Sequence, residues 1–201
     1  MVSRSYELIM LTAAPTRQAQ MLADLRGVAE TIPGLLGIFA SEFGRVNDVV
    51  LIRRAPAPPL PAADDTFGTW LQSPPASVAE VVVNLYQLAP FVPDPEPGIY
   101  GPLYEFRTYR FRPGTLQELL TTWAQYHPAR AALSPGPFVL HAATGNVHTL
   151  IHIWGYESLE HRAQVRQEAS AGKLWPAPGG RDRWLSQDNA LYLADAASPM
   201  M

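Results

Sequence analysis

Tyr104-Glu105-Phe106-Arg107-Thr108-Tyr109 decides the reading of this chain, because Tyr6-Glu7-Leu8-Ile9-Met10 opens it in the same way. Both runs are rich in aromatic and apolar residues, as strands are. A proline and a threonine follow each one, at Pro15-Thr16 and at Pro113-Gly114-Thr115, and they signal a helix start. Thr115 with Glu118 three residues later has the spacing of a capping box. In the helix expected after the first strand, Leu22, Leu25, Ala29 and Ile32 share a face. In the second, Leu116, Leu119, Leu120 and Trp123 do. Pro128 sits inside that second pattern and predicts a kink or an early end near His127.

A hairpin follows in each half. Gly37 to Glu42 turns at Phe43-Gly44-Arg45-Val46-Asn47 into Val49 to Ile52, and Phe138 to His141 turns at Thr144-Gly145-Asn146 into Leu150 to Trp154. Glycine and asparagine supply the positive φ angles that tight turns need. A further helix is clearest from Ser158, its N-cap, to about Ala171, and last strands are expected at Val81 to Leu88 and Ala190 to Leu193. The first half is degenerate before its last strand: Ala55 to Pro61 is proline-rich and stiff, and only Asp65 to Gln72 can form a short helix. A second proline-rich stretch, Pro90 to Pro102, separates residues 1–95 from residues 96–201.

Two βαββαβ units in one chain give an α+β fold class. Each unit predicts a four-stranded antiparallel sheet of ferredoxin-like order with both helices on one face. The other face is left apolar and bare, and two such faces cover each other. The expected architecture is therefore two tandem ferredoxin-like units packed as an intrachain pseudo-dimer. Such a fused pair can stay monomeric or pair again as a homodimer.

Composition excludes several functions. The 201 residues are 47% hydrophobic and 16% charged, enough for a core that buries roughly two-thirds of the unfolded surface. A net charge of -3, with no basic run longer than Arg53-Arg54, argues against a nucleic-acid partner. The chain has no cysteine, which excludes disulfides, thiolate metal sites and a cysteine nucleophile, and fits a reducing cytoplasm. Met1 to Met10 reads as a strand rather than a leader, and no apolar run approaches the ~20 residues that span a membrane.

The second half resembles the NIPSNAP family, a branch of the dimeric α+β-barrel proteins. The residues that carry the resemblance are Tyr104 to Tyr109 with Pro113-Gly114, then Gly145-Asn146-Val147, then His152-Ile153-Trp154-Gly155-Tyr156-Glu157-Ser158-Leu159, and Arg162 and Arg166. A fainter echo runs through Tyr6-Glu7-Leu8 and Ser41 to Val50. The first half departs from the pattern: Ile9 stands where the second half has Arg107, and the Trp-x-Tyr-x-Ser-Leu run is missing. The resemblance implies the fold and a small apolar or aromatic ligand, and no particular reaction.

Alternation places Glu105, Arg107 and Tyr109 on one face of their strand, and His148, His152 and Trp154 on one face of theirs. His141 shares the His148 face if the hairpin loop has two residues, and faces away if it has three. Glu105, Arg107 and His152 are the candidates for acid–base work near neutral pH. Trp123, Tyr126, His127 and Arg130 lie along one helix, and a pocket between it and the sheet would be aromatic. Tyr109, Trp123, His127, His141, His148 and Trp154 are the candidates to line that pocket.

The bland reading of the same residues is a Glu105–Arg107 ion pair with core histidines, and of Arg162 and Arg166 a solvated helix face. No metal site is expected, because His148 and His152 lie roughly 13 Å apart along a strand. No cofactor is expected either; His127 stands where related barrel families hold haem, but an aromatic helix stripe is more often core. Two functions follow: a cofactor-independent enzyme acting on a small apolar or aromatic molecule in a biosynthetic pathway, or a non-catalytic ligand-binding or protein-interaction module.

Overall fold

A computed structural model describes residues 4–56 and 66–201. Strand β1 (Ser5–Ala13), helix α1 (Gln18–Arg26), β2 (Leu35–Phe43), β3 (Asp48–Arg54), α2 (Thr66–Gln72) and β4 (Val78–Leu88) come first. The same order then repeats as β5 (Leu103–Phe111), α3 (Leu116–Ala131), β6 (Phe138–Ala142), β7 (Thr149–Tyr156), α4 (Leu159–Ala171) and β8 (Trp184–Ala194). All eight strands join in one closed antiparallel barrel, in the order β1-β3-β2-β8-β5-β7-β6-β4 with β4 returning to β1. Each unit contributes four adjacent strands. The units are sewn together where β2 pairs β8 and where β4 pairs β6. The bare faces therefore meet by closing edge to edge, which buries their apolar side chains in one shared interior.

Alternation along each strand sorts side chains into two layers. Tyr6, Leu8, Phe39, Val50, Tyr104, Phe106 and Tyr192 share one buried cluster inside the barrel. Phe39 of the first unit touches the second there, with ring centroids 4.6 Å from Tyr104 and 5.4 Å from Phe106. Ile9, Leu11, Ile38, Val49 and Leu51 point the other way and pack on Met21 and Leu25 of α1 and Phe67 of α2. Strand β7 is buried along its whole length because both of its faces are covered, one by the barrel interior and one by helices.

Several local expectations are revised. Pro128 lies within α3, which continues to Ala131, and the Pro128 carbonyl accepts from Ala132 N–H. Thr115 stands at the N-cap of α3 without capping it: its hydroxyl donates to the Arg112 carbonyl, and Glu118 pairs with Arg183 instead. Helix α1 ends at Arg26, and a 3-10 turn carries Ala29. Strand β8 begins at Trp184 rather than near Ala190. Ser158 does cap α4, accepting from His161 N–H at 3.1 Å. The prolines at 57–61 and Asp65 lie outside the described residues.

The segment before β5 lies directly on β7. A Cβ on Gly155 would sit 2.3 Å from the Tyr100 carbonyl oxygen, and one on Gly101, whose φ is +111°, would sit 2.4 Å from that of Tyr156. Both contacts are backbone on backbone, so neither can relax by a rotamer change. Gly155→Ala is expected to cost about 1–3 kcal/mol, read as a lowered urea midpoint with an unchanged slope. An unchanged midpoint would mean that the segment lifts freely.

Candidate functional site

The outer face of the second unit's sheet carries the polar residues that alternation predicts. Register pairs Glu105 with Trp154, Arg107 with His152 and Tyr109 with Leu150, so the two strands present one continuous surface to the helices. A cavity of about 280 Å³ opens there, bounded on the sheet by Glu105, Arg107, Tyr109, Trp154 and Tyr156. Arg130 of α3, Arg166, Ala169 and Ser170 of α4, and Trp175 and Trp184 close the remaining sides.

Glu105 anchors the charges. It is almost wholly buried, and Arg162 reaches it at 2.6 Å and Arg166 at 3.3 Å. The Tyr156 hydroxyl donates to its second oxygen at 3.1 Å and accepts from Arg130 Nη2 at 2.9 Å. Burial alone would raise the Glu105 pKa. The Arg162 hydrogen bond and the charges of Arg107, Arg162 and Arg166 outweigh it and hold the carboxyl below its ordinary value. Arg162 and Arg166, expected on a solvated face, thus form part of the site, and the Glu105–Arg107 pair gives way to pairs with α4. Arg107 makes no ion pair among the described residues, and its Nε is buried without a partner.

His152 lies behind the cavity wall with no exposed surface. Its Nδ1 accepts from the Trp154 indole N–H at 3.2 Å, and its Nε2 lies 3.3 Å from the Tyr109 hydroxyl. Desolvation, then the charges of Arg107 and Arg130, push its pKa well below the ordinary value, so the ring is neutral. A neutral ring accepting at Nδ1 carries its proton on Nε2, which makes the Tyr109 oxygen an acceptor from His152. The phenol proton of Tyr109 is then free to point into the cavity. Burial pushes the Tyr109 pKa up to about 12, so it remains a donor.

Trp123 and His127 back this wall without lining the cavity. Trp123 packs on His152 and Trp175 at 5.1 Å and 4.7 Å. His127 stacks on Trp154 at 5.4 Å and 26°, and its ring centroid also lies 5.4 Å from that of Phe91. A buried His127 that misses the cavity, beside a space this small, does not fit a haem ligand. His141 pairs with Leu150, the register of a two-residue loop, and so shares the His152 face; it lies half-buried beside Gln87 at the seam with β4. His148 sits before β7 with its ring 6.0 Å from Phe111. Neither reaches the cavity. Among the described residues, no three His, Asp or Glu side chains converge as a metal site would need.

Among the described residues, the first unit does not repeat this arrangement. Glu7, at the position matching Glu105, is held by Arg53 at 2.7 Å, and that guanidinium lies 5.2 Å from the Phe67 ring centroid. The protein's own arginine fills the place.

Residues 104–199, which carry the whole of the cavity lining, match the NIPSNAP family model. The C-terminal half of the chain is similar to the NIPSNAP family. The NipSnap homologue of Dictyostelium discoideum is 26% identical over 149 residues, which cover 70% of this chain and 65% of that protein. Human NipSnap homologue 3A is 32% identical over 77 residues, covering 37% of this chain and 31% of its own. The chain thus spans less than two thirds of the length of either curated relative. Along 96% of the chain and 94% of its own length, the fold resembles a candidate monooxygenase from Lactobacillus acidophilus, with a TM-score of 0.67 at 12% identity. That likeness extends the α+β barrel architecture beyond the NIPSNAP-like half to the first unit, and it shows the fold alone. No described helix is long and apolar enough to cross a membrane.

Proposed function

We propose that the NIPSNAP-like half binds a small molecule with an apolar or aromatic body in the cavity between β5, β7 and helices α3 and α4. The observation that carries this reading is the lining itself: Tyr109, Trp154, Tyr156, Trp175 and Trp184 surround a space into which fixed polar groups also point. Ligand sites combine these features, whereas a filled core would pair the same residues with one another. Any proton transfer on the bound molecule runs through Tyr109, the donor oriented by His152, because Glu105 is committed to its arginines. Arg107 and Arg130 face the same space and would stabilise charge developing on a ligand oxygen, the kind of help that a cofactor-independent enzyme needs. A protein-interaction role has no comparable observation behind it.

Three of the five tryptophans line the cavity, so intrinsic fluorescence reports on its occupancy. Titration with a panel of one- and two-ring aromatic compounds is expected to give a saturable change for at least one of them. Ser170→Trp, an exposed position at the rim, should block that change without lowering the melting temperature. Saturation that persists in Ser170→Trp would place binding elsewhere, and no saturation by any compound would contradict the reading.

A further inference from the structure

Three guanidinium groups and one carboxylate line this cavity, and the carboxylate is already shared by Arg162 and Arg166. We infer that the molecule bound there is an anion, an apolar or aromatic monocarboxylate whose charge lies between Arg107 and Arg130. The inference rests on the binding function proposed above and names the class of its ligand.

Two arginines carry the argument. Arg130 is 2% exposed, makes one hydrogen bond, to a neutral phenol, and has its Nη1 buried without a partner. Its guanidinium lies 4.0 Å from the Trp154 ring centroid, which offsets only part of the cost of burying a charge. Arg107 has a buried, unpartnered Nε and no ion pair among the described residues, and its guanidinium carbon is 5.9 Å from the Tyr109 ring centroid. Buried charges are ordinarily paired, and buried donors ordinarily bonded. The unpartnered Arg130 Nη1 and Arg107 Nε belong to two guanidinium groups that line one space, and a planar guanidinium suits the two oxygens of a carboxylate. The Tyr109 phenol adds a third donor. Trp154, Trp175 and Trp184 leave the rest of the space to an apolar body, which favours a carboxylate on a ring over inorganic phosphate.

A matched trio tests this. Benzoate, benzamide and benzylammonium share a ring and differ in charge, and calorimetric titration of each into the whole protein ranks them. Benzoate is expected to bind about 10-fold tighter than benzamide or better, with benzylammonium weakest. Arg107→Met should bring the ratio of benzoate to benzamide affinity down toward one, and a ratio unchanged from the wild type would overturn the role of Arg107. Should that variant fail to fold, salt serves instead on the wild type: raising ionic strength weakens a charge-held benzoate and spares benzamide. Benzamide binding as tightly as benzoate would overturn the anion and leave the binding function standing. No measurable binding by any of the three, together with a fluorescence panel that also fails, would overturn both. Inorganic phosphate competing with benzoate at equal concentration would overturn the requirement for an apolar body.

Discussion

Glu105→Gln is expected to be among the most destabilising conservative substitutions in the chain. One carboxylate sits under Arg162 and Arg166, and through Tyr156 it also positions Arg130. Glutamine keeps the shape and removes the charge, so the arginines on either side lose their counter-ion. Removing one partner of a buried pair typically costs about 3–5 kcal/mol, mainly through the charge left behind. Arg166 is the most exposed of the group and can turn to water, so a loss near 3 kcal/mol is expected. A double-mutant cycle isolates the cause. Arg162→Met in the Glu105→Gln background should recover part of the loss, because it removes one of the stranded cations. Strictly additive losses in urea unfolding would show that the pair is not coupled.

Acid should unfold this protein early. His127 and His152 are buried and neutral in the native state, with the His127 pKa pushed down to about 4 by desolvation first and by Arg130 second. His152 is also pushed well below the ordinary value, by complete burial first. In the unfolded chain both take up a proton near pH 6.5. Between roughly pH 6.5 and pH 4 the unfolded state therefore binds protons that the native state refuses, and stability falls as pH falls. Each histidine contributes a slope of about 1.4 kcal/mol per pH unit, and His127 alone costs on the order of 3 kcal/mol by pH 4. Glu105 acts in the same direction at lower pH: its folded pKa is depressed, so its stabilisation is present above the ordinary carboxylate range and lost as pH drops through the folded value. Urea midpoints at pH 7, 5.5 and 4.5 should fall steadily. His127→Gln should flatten the fall by about one proton's worth of slope. A flat profile over this range would show that the histidines are hydrated and titrate freely.

The fold was legible because its signals are local and repeated. The Tyr-Glu openings at residues 6 and 104, the glycine- and asparagine-bearing hairpins and the Ser158 cap each depend on a few neighbouring residues. Where a local rule met tertiary packing, packing won: α3 runs through Pro128, and Glu118 prefers Arg183 to its own N-terminus. The first seven residues of β8, Trp184 to Ala190, were missed because they are mostly polar and exposed, and hydrophobic periodicity is silent there.

The site was half legible for a related reason. Period-two alternation brings Glu105, Arg107, Tyr109, His152 and Trp154 to one face, and helical spacing puts Trp123, His127 and Arg130 on one side of α3. Arg162 and Arg166 read as a solvated face because spacing along a helix does not show which acid waits on a strand some sixty residues earlier. Trp175 lies after α4 and Trp184 at the start of β8, and no pattern links either to the β5 face. A tryptophan placed outside a periodic run was the available signal. His141 and His148 satisfied the alternation and still missed the cavity, because a sheet face is longer than the site built on it.

The most direct measurement is a crystal structure of the whole chain soaked with an aromatic monocarboxylate such as benzoate. The ring is expected inside the cavity bounded by Trp154, Trp175 and Trp184, with the carboxylate oxygens within hydrogen-bond distance of Arg107 or Arg130. Density only at the barrel mouth or on the surface, with Arg107 and Trp175 closed over an unoccupied cavity, would contradict the account.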